Sequence, residues 1–227
     1  MRKMMYAASL ALLAAACAPA TVQTARTNGQ GNFQFGIEPG AIVGVGGGGS
    51  AAGPAVNFAG RYGVTDRIDV GGRLGTSLYE IQVKAMLSDP AATDSMAISI
   101  APSTMIFAIG AGGASAFIAD TRVPLLFGLP TGGGSEFTFG PSLRPTFVGG
   151  GGGGASAGGL LLSAGGQVGY AARLADNFRL VPQLDVSVPV LGAAAASGGD
   201  ASASGVDAGI GGALVGIQLG LLFGGYP

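Results

Sequence analysis

The charged residues of this chain fall on one parity of its extended stretches. In "GRYGVTDRIDVGGRLG" (60–75), Arg67, Asp69 and Arg73 lie on one parity, while Ile68, Val70 and Leu74 lie on the other. Successive side chains of a strand point to opposite faces, so this spacing makes a strand with one charged face and one apolar face. Ten such stretches follow one another from Asn32 onward, and none shows helical spacing: "NFQFGIEPG", "AVNFAGRYG", the "RIDVGGRLG" just quoted, "LYEIQVKAML", "MAISIAPSTMIF", "AFIADTRVPLLFGL", "EFTFGPSLRPTF", "LSAGGQVGYAARL", "FRLVPQLDVSVPV" and "GIQLGLLF". Gly, Ser, Ala, Asp and Asn separate them, as turns require.

Beyond Arg26 the polar faces collect every cation: Arg61, Arg67, Arg73, Lys84, Arg122, Arg144, Arg173 and Arg179. Glu38, Asp69, Glu80, Asp120, Glu136 and Asp185 join them, whereas Asp66, Asp89, Asp94, Asp176, Asp200 and Asp207 sit in connections. The opposite faces hold no charge.

Two architectures alternate in this way. A soluble barrel turns its apolar face inward, and a transmembrane barrel turns it toward lipid. Three features favour the second. Only 10% of residues are charged, against roughly 25% in an ordinary soluble domain. The charged face is Arg with Asp or Glu, spaced by Gly, Ala and Ser, and Lys3 and Lys84 are the only lysines. Arg suits partly buried ion pairs better than Lys does. The stretches also match the roughly 9–11 residues that cross a bilayer at a tilt. The expected fold is therefore all-β: an antiparallel up-and-down transmembrane β-barrel of about ten strands, with eight or twelve also fitting the pattern. Tight turns are expected at 63–66, 88–95, 131–135 and 175–177. Loops are expected at 44–53, 75–77, 110–115, 149–159 and 192–207, which are rich in Gly, Ala and Ser.

The N-terminus reads as an export signal over residues 1–16: Arg2 and Lys3, an apolar run, then small residues. "LLAAAC" places the only cysteine, Cys17, as a candidate lipidation site; ordinary cleavage after Ala16 or Ala20 fits the same residues. Residues 17–31 read as a flexible linker and residues 32–227 as the barrel domain.

"RYGVTDRIDVGGRLG", "YEIQVKAML" and "AARLADNFRLVPQLDVSV" resemble the hairpins of bacterial outer-membrane β-barrel proteins, in the generic small-barrel class. The resemblance covers roughly residues 32–223. It implies residence in the bacterial outer membrane and contact with its lipids. Gly216, Leu219, Leu221 and Phe223 resemble the C-terminal signal offered to the barrel assembly machinery, with "GGYP" added after it.

The chain has no histidine, the base on which enzymatic outer-membrane barrels resemble one another in relying. No catalytic, metal or cofactor role is expected. "GASAG" (154–158) and "GVGGGG" (44–49) match nucleophile-elbow and dinucleotide motifs only formally, since neither precedes a helix. A net charge of −1 without a basic cluster argues against nucleic acid. The sequence carries no signal of oligomeric state.

The expected function is that of a noncatalytic outer-membrane barrel, structural or a narrow channel. Its lumen charges would be Glu38, Arg61, Arg67, Asp69, Arg73, Glu80, Lys84, Asp120, Arg122, Glu136, Arg144, Arg173, Arg179 and Asp185. These pair across the interior, while small residues on the fifth, eighth and tenth strands leave a thin water path to one side. The alternative from another class is a soluble periplasmic lipoprotein barrel, lipocalin-like, holding an apolar ligand in its core.

Overall fold

A run that alternates apolar and polar residues can bury one face only by pairing its edges with neighbours and curving the sheet on itself. The computed structural model, which describes residues 20–46, 49–75, 78–111, 114–152, 155–198, 201–208 and 212–224, does this throughout. The strands are β1 (Phe33–Gly46), β2 (Gly49–Thr65), β3 (Ile68–Gly75), β4 (Leu78–Met86), β5 (Ala97–Ile100), β6 (Ser103–Ala111), β7 (Ala114–Gly132), β8 (Ser135–Gly152), β9 (Ala155–Ala175), β10 (Phe178–Gly198), β11 (Ala201–Ala208) and β12 (Gly212–Gly224).

These twelve segments make ten staves. β5 and β6 are one stave interrupted at Ala101–Pro102; both pair with β4 and with β7. β11 and β12 are likewise one stave, pairing successive halves of β10. β12 then pairs with β1, from Gln34↔Gly224 to Gly46↔Gly212, and closes the barrel. Every pairing is antiparallel, and the ten staves follow the ten alternating stretches of the sequence.

Which face meets the outside is settled by exposure. Ile81, Tyr79, Val70, Val186 and Ile217 are exposed, whereas Glu38, Asp69, Arg73, Gln183 and Asp185 are buried. Among the described residues, no outward position of a strand carries a charge. The barrel is thus inverted relative to a soluble one, which removes the alternative of a lipocalin-like apolar core: charged and polar side chains occupy the place where an apolar ligand would sit.

The outer surface has the dimensions of a membrane band. Aromatic side chains gather outward near the turn-bearing end: Phe33, Phe35, Tyr62, Phe137, Tyr170 and Phe223 are exposed there. Several pair with a neighbour across the strands, as Phe178 does with Phe223 at 5.0 Å and Phe127 with Phe139 at 5.5 Å. On β8 the next outward aromatic of the opposite end is Phe147, ten residues beyond Phe137. At about 3.3 Å per residue and a tilt of about 40°, that separation is about 25 Å of height, the thickness of an outer-membrane apolar band.

The connections at this end are as tight as expected. Asp66–Arg67 and Asp176–Asn177 form turns. Between β7 and β8, Gly132, Gly133 and Gly134 take φ of 87°, 59° and 77°, a left-handed run that other residues would resist. At the opposite end the expected long loops are corrected. Gly149–Gly152, Ala155–Gly159, Gly192–Gly198 and Ala201–Ala208 are strand, so β7 to β10 reach 18 to 21 residues while β3 and β4 have 8 and 9. Small side chains leave no contrast between faces, yet they do not stop the backbone ladder from continuing.

The export signal expected over residues 1–16 and the candidate lipidation site Cys17 lie outside the described residues. Residues 20–31, expected to be a flexible linker, are instead buried within the barrel from Ala20 to Asn28 and emerge at Gln30.

The inverted surface predicts a depth-dependent cost. Ile81 lies midway along its stave and is 71% exposed, so Ile81→Arg should cost about 2–4 kcal/mol, whereas Leu87→Arg at the turn end should cost about 0–1. Midpoints of heat-modifiable gel mobility compare the two; equal costs would contradict the membrane orientation.

Candidate functional site

The lumen is where the chain concentrates its chemistry. Of the fourteen charged residues expected there, twelve are buried inside the barrel: Glu38, Arg61, Asp69, Arg73, Glu80, Lys84, Asp120, Arg122, Glu136, Arg144, Arg179 and Asp185. Arg67 and Arg173 are not. Both are exposed at the turn end, where Arg67 donates to the Ser88 carbonyl at 2.9 Å and Arg173 pairs with Asp176 at 2.9 Å. They share the inward parity, but each adjoins a turn, so the side chain meets the mouth rather than the interior.

The buried charges pair mostly along the wall. Asp69 and Lys84 stand opposite each other in the β3–β4 register and bond at 3.1 Å; Arg73 and Glu80 stand opposite in the same ladder and also bond. Arg61 meets Glu38 at 3.2 Å, and Arg144 meets Asp120 at 2.8 Å between neighbouring strands. Thr146 gives Asp120 a further hydrogen bond at 2.6 Å. Arg122 reaches past the intervening staves to Asp185 at 3.5 Å, and Arg73 reaches Glu38 at 3.5 Å. The expectation of pairing across the interior is therefore corrected to pairing chiefly between neighbouring strands, which the ladder register sets.

What crosses the interior is the chain itself. Residues 20–28, "ATVQTARTN", run up the lumen from the turn end as a segment outside the sheet, bent at Ala25–Arg26. A buried segment without ladder partners must find hydrogen bonds for its N–H and C=O groups, and wall side chains bond four of its N–H and five of its C=O groups. The Ala20 N–H donates to Asp185 at 3.2 Å, the Gln23 N–H to Gln183 at 3.3 Å, the Ala25 N–H to Glu136 at 2.7 Å and the Asn28 N–H to Asp69 at 3.0 Å. In return Arg73 donates to the Ala20 carbonyl, Gln183 to that of Thr21, Arg61 to that of Val22, and Lys84 to those of Thr24 and Arg26. Thr21 also bonds Glu80 through its hydroxyl.

Apolar contacts fix the segment's register. Val22 packs with Ala171, Val181 and Leu222, and Ala25 with Met86, Ala97, Ala101 and Leu126. Ala97, Ala101 and Ala171, with Gly220, belong to the fifth, eighth and tenth alternating stretches, so the segment lies in the thin water path expected there. Two glycines make room for it. A Cβ on Gly220 would stand 2.4 Å from Val22 Cγ1, and one on Gly128 would stand 2.8 Å from Ala25 Cβ.

At the turn end Arg26 ties the segment to the β4–β5 connection, donating to the carbonyls of Ala92, Thr93 and Ser95 at 3.3, 2.7 and 2.8 Å. Its guanidinium also lies 3.6 Å from Glu136. Higher in the lumen, the gap bounded by Thr21, Arg73, Glu80, Ser103, Met105, Asp120 and Arg122 has a volume of about 10 Å³, room for about one water.

Sequence reasoning missed Arg26 and the whole of residues 20–28. The available signal was the absence of Gly and Pro between Ala20 and Asn28, followed at once by "GQG", which makes the turn into β1.

No protein-family model matches the chain. No curated protein matches it. Among solved structures it is similar to Neisserial surface protein A, at 10% identity and TM-score 0.42 over 86% of this chain and 99% of that one. It is also similar to the outer membrane protease OmpT from Escherichia coli, at 8% identity and TM-score 0.46 over 90% and 99%. The outer membrane protein OprG from Pseudomonas aeruginosa matches at 13% identity and TM-score 0.41 over 88% and 99%.

The cradle predicts where a small change is costly. Gly220→Leu should force the Val22 contact apart and cost about 1–3 kcal/mol as overpacking. Gly53→Ala, whose added carbon meets nothing within 4 Å, should be near neutral. Thermal midpoints in detergent give the comparison, and equal effects would contradict the seating of Val22.

Proposed function

We propose that the protein is a noncatalytic barrel of the bacterial outer membrane, structural in role, with a lumen closed by its own N-terminal segment. The observation that carries this reading is the double one of an uncharged, apolar exterior and a charged interior already occupied by residues 20–28. Ten staves enclose slightly more space than the eight-stranded kind, whose side chains just fill the interior, and open aqueous channels belong to barrels of 16–18 strands. One segment of chain fits the difference.

The orientation follows the habit of bacterial barrels. Short turns and both ends of the barrel lie on one side, which faces the periplasm, and the taller Gly/Ala/Ser-rich wall of β7 to β11 rises on the outer side. Leu219, Leu221 and Phe223 alternate outward along the last strand, as the assembly machinery would read them. A narrow channel has less support, because residues 20–28 lie in the lumen, bonded to the wall from Asp185 to Asp69.

Planar bilayer recording tests the reading. The purified full-length protein should give little or no conductance. Large, stable steps would show that the interior charges line an open pore.

A further inference from the structure

The wall and its turns bond residues 20–28 at nine main-chain groups and at the side chains of Thr21, Gln23, Arg26 and Thr27. Four N–H groups go to Asp185, Gln183, Glu136 and Asp69, and five carbonyls accept from Arg73, Gln183, Arg61 and Lys84. Side chains add demands of their own: Thr21 donates to Glu80, Gln23 accepts from Gln82 at 2.7 Å, and Thr27 donates to the Asp66 carbonyl at 2.6 Å. Thr24 bonds only its own chain, at the Arg26 carbonyl, while Val22 and Ala25 need no more than small apolar pockets.

We propose that the lumen is a binding site for a peptide, occupied by residues 20–28 and able to exchange them for a second peptide of the same chemistry. The ligand class is a peptide of about nine residues, bent at its sixth and seventh positions, with a β-branched aliphatic residue at its third position, Gln at its fourth and a small one at its sixth. Arg or Lys at the seventh would reach the carbonyls of the β4–β5 connection. This rests on the closed-lumen reading and goes beyond it by giving the closure a ligand specificity.

The geometry allows a direct test on a folded full chain. Gln30 lies in the exposed turn between the buried segment and β1. A protease site inserted after Gln30 lets the assembled protein be cut there, leaving the segment held by noncovalent contacts alone. A fluorescent synthetic peptide of residues 20–30 is then added, and anisotropy and mass spectrometry follow replacement. The expected result is that the cut protein keeps its fragment through gel filtration and exchanges it saturably for the labelled peptide. A Thr24→Ala peptide should compete within about threefold, and a peptide N-methylated at Ala25, which cannot donate to Glu136, should be weaker by at least about tenfold.

A retained fragment that never exchanges under excess peptide would overturn the proposal and make the segment a fixed part of the core. A fragment that leaves without the peptide taking its place would overturn it as well. Should the insertion prevent folding, the full chain with Ala25→Glu, which sets a carboxylate against Glu136, should lose its own segment from the lumen. It should then bind the labelled peptide where the wild type does not; no binding by that folded variant is again a refutation. Conductance of the uncut wild type reports separately on the closed lumen, so the two readings fail in different experiments.

Discussion

A backbone buried away from water must have its N–H and C=O groups bonded, and a chain inside a barrel has no ladder to bond them. The rest of this structure depends on how that constraint is met. Asp69, Glu136 and Asp185 accept from the segment, and Arg61, Arg73 and Lys84 donate to it. Each of these side chains would be costly to bury alone. Paired with a neighbour along the wall and with main chain at the centre, they cost far less. The charges need the segment as much as the segment needs the charges.

The size of the barrel follows the same logic. Inward positions mix long polar and charged side chains with small ones, and Ala97, Ala101, Ala171 and Gly220 lie where Val22 and Ala25 are seated. Gly220 has no room for a Cβ because Val22 occupies it, and at Gly128 Glu136 and Ala25 together fill the space. A lumen designed around water would tolerate a methyl group at Gly220. The outer face obeys a separate demand, supplying an uncharged band between two levels of aromatic side chains, and the strand alternation lets one sequence meet both.

Much of this was legible from residue order alone. Alternation fixed the ten staves, and it assigned Glu38, Asp120, Arg144 and the other buried charges to one face because parity in a strand is unambiguous. Parity carries no information on height, which is why Arg67 and Arg173 were expected inside and lie at the mouth. Residues 192–208 looked like a loop because Gly, Ala and Ser give no contrast between faces, though their backbone pairs without interruption up to residue 198 and again from Ala201. The segment at 20–28 was hidden for a related reason. It touches the wall on all sides, so its sequence has no periodic contrast to read, and Thr, Gln and Asn in a stretch of nine suggest a solvated connection.

The central claim is the position of that segment, and chemical accessibility tests it most directly. In a Cys17→Ser background, Thr24→Cys and Gln30→Cys place one thiol in the lumen and one in the exposed turn. A bulky water-soluble maleimide applied to the folded protein in detergent should label the second rapidly and the first only after heat unfolding. Equal labelling of both thiols in the folded barrel would contradict a closed lumen and return residues 20–28 to solvent.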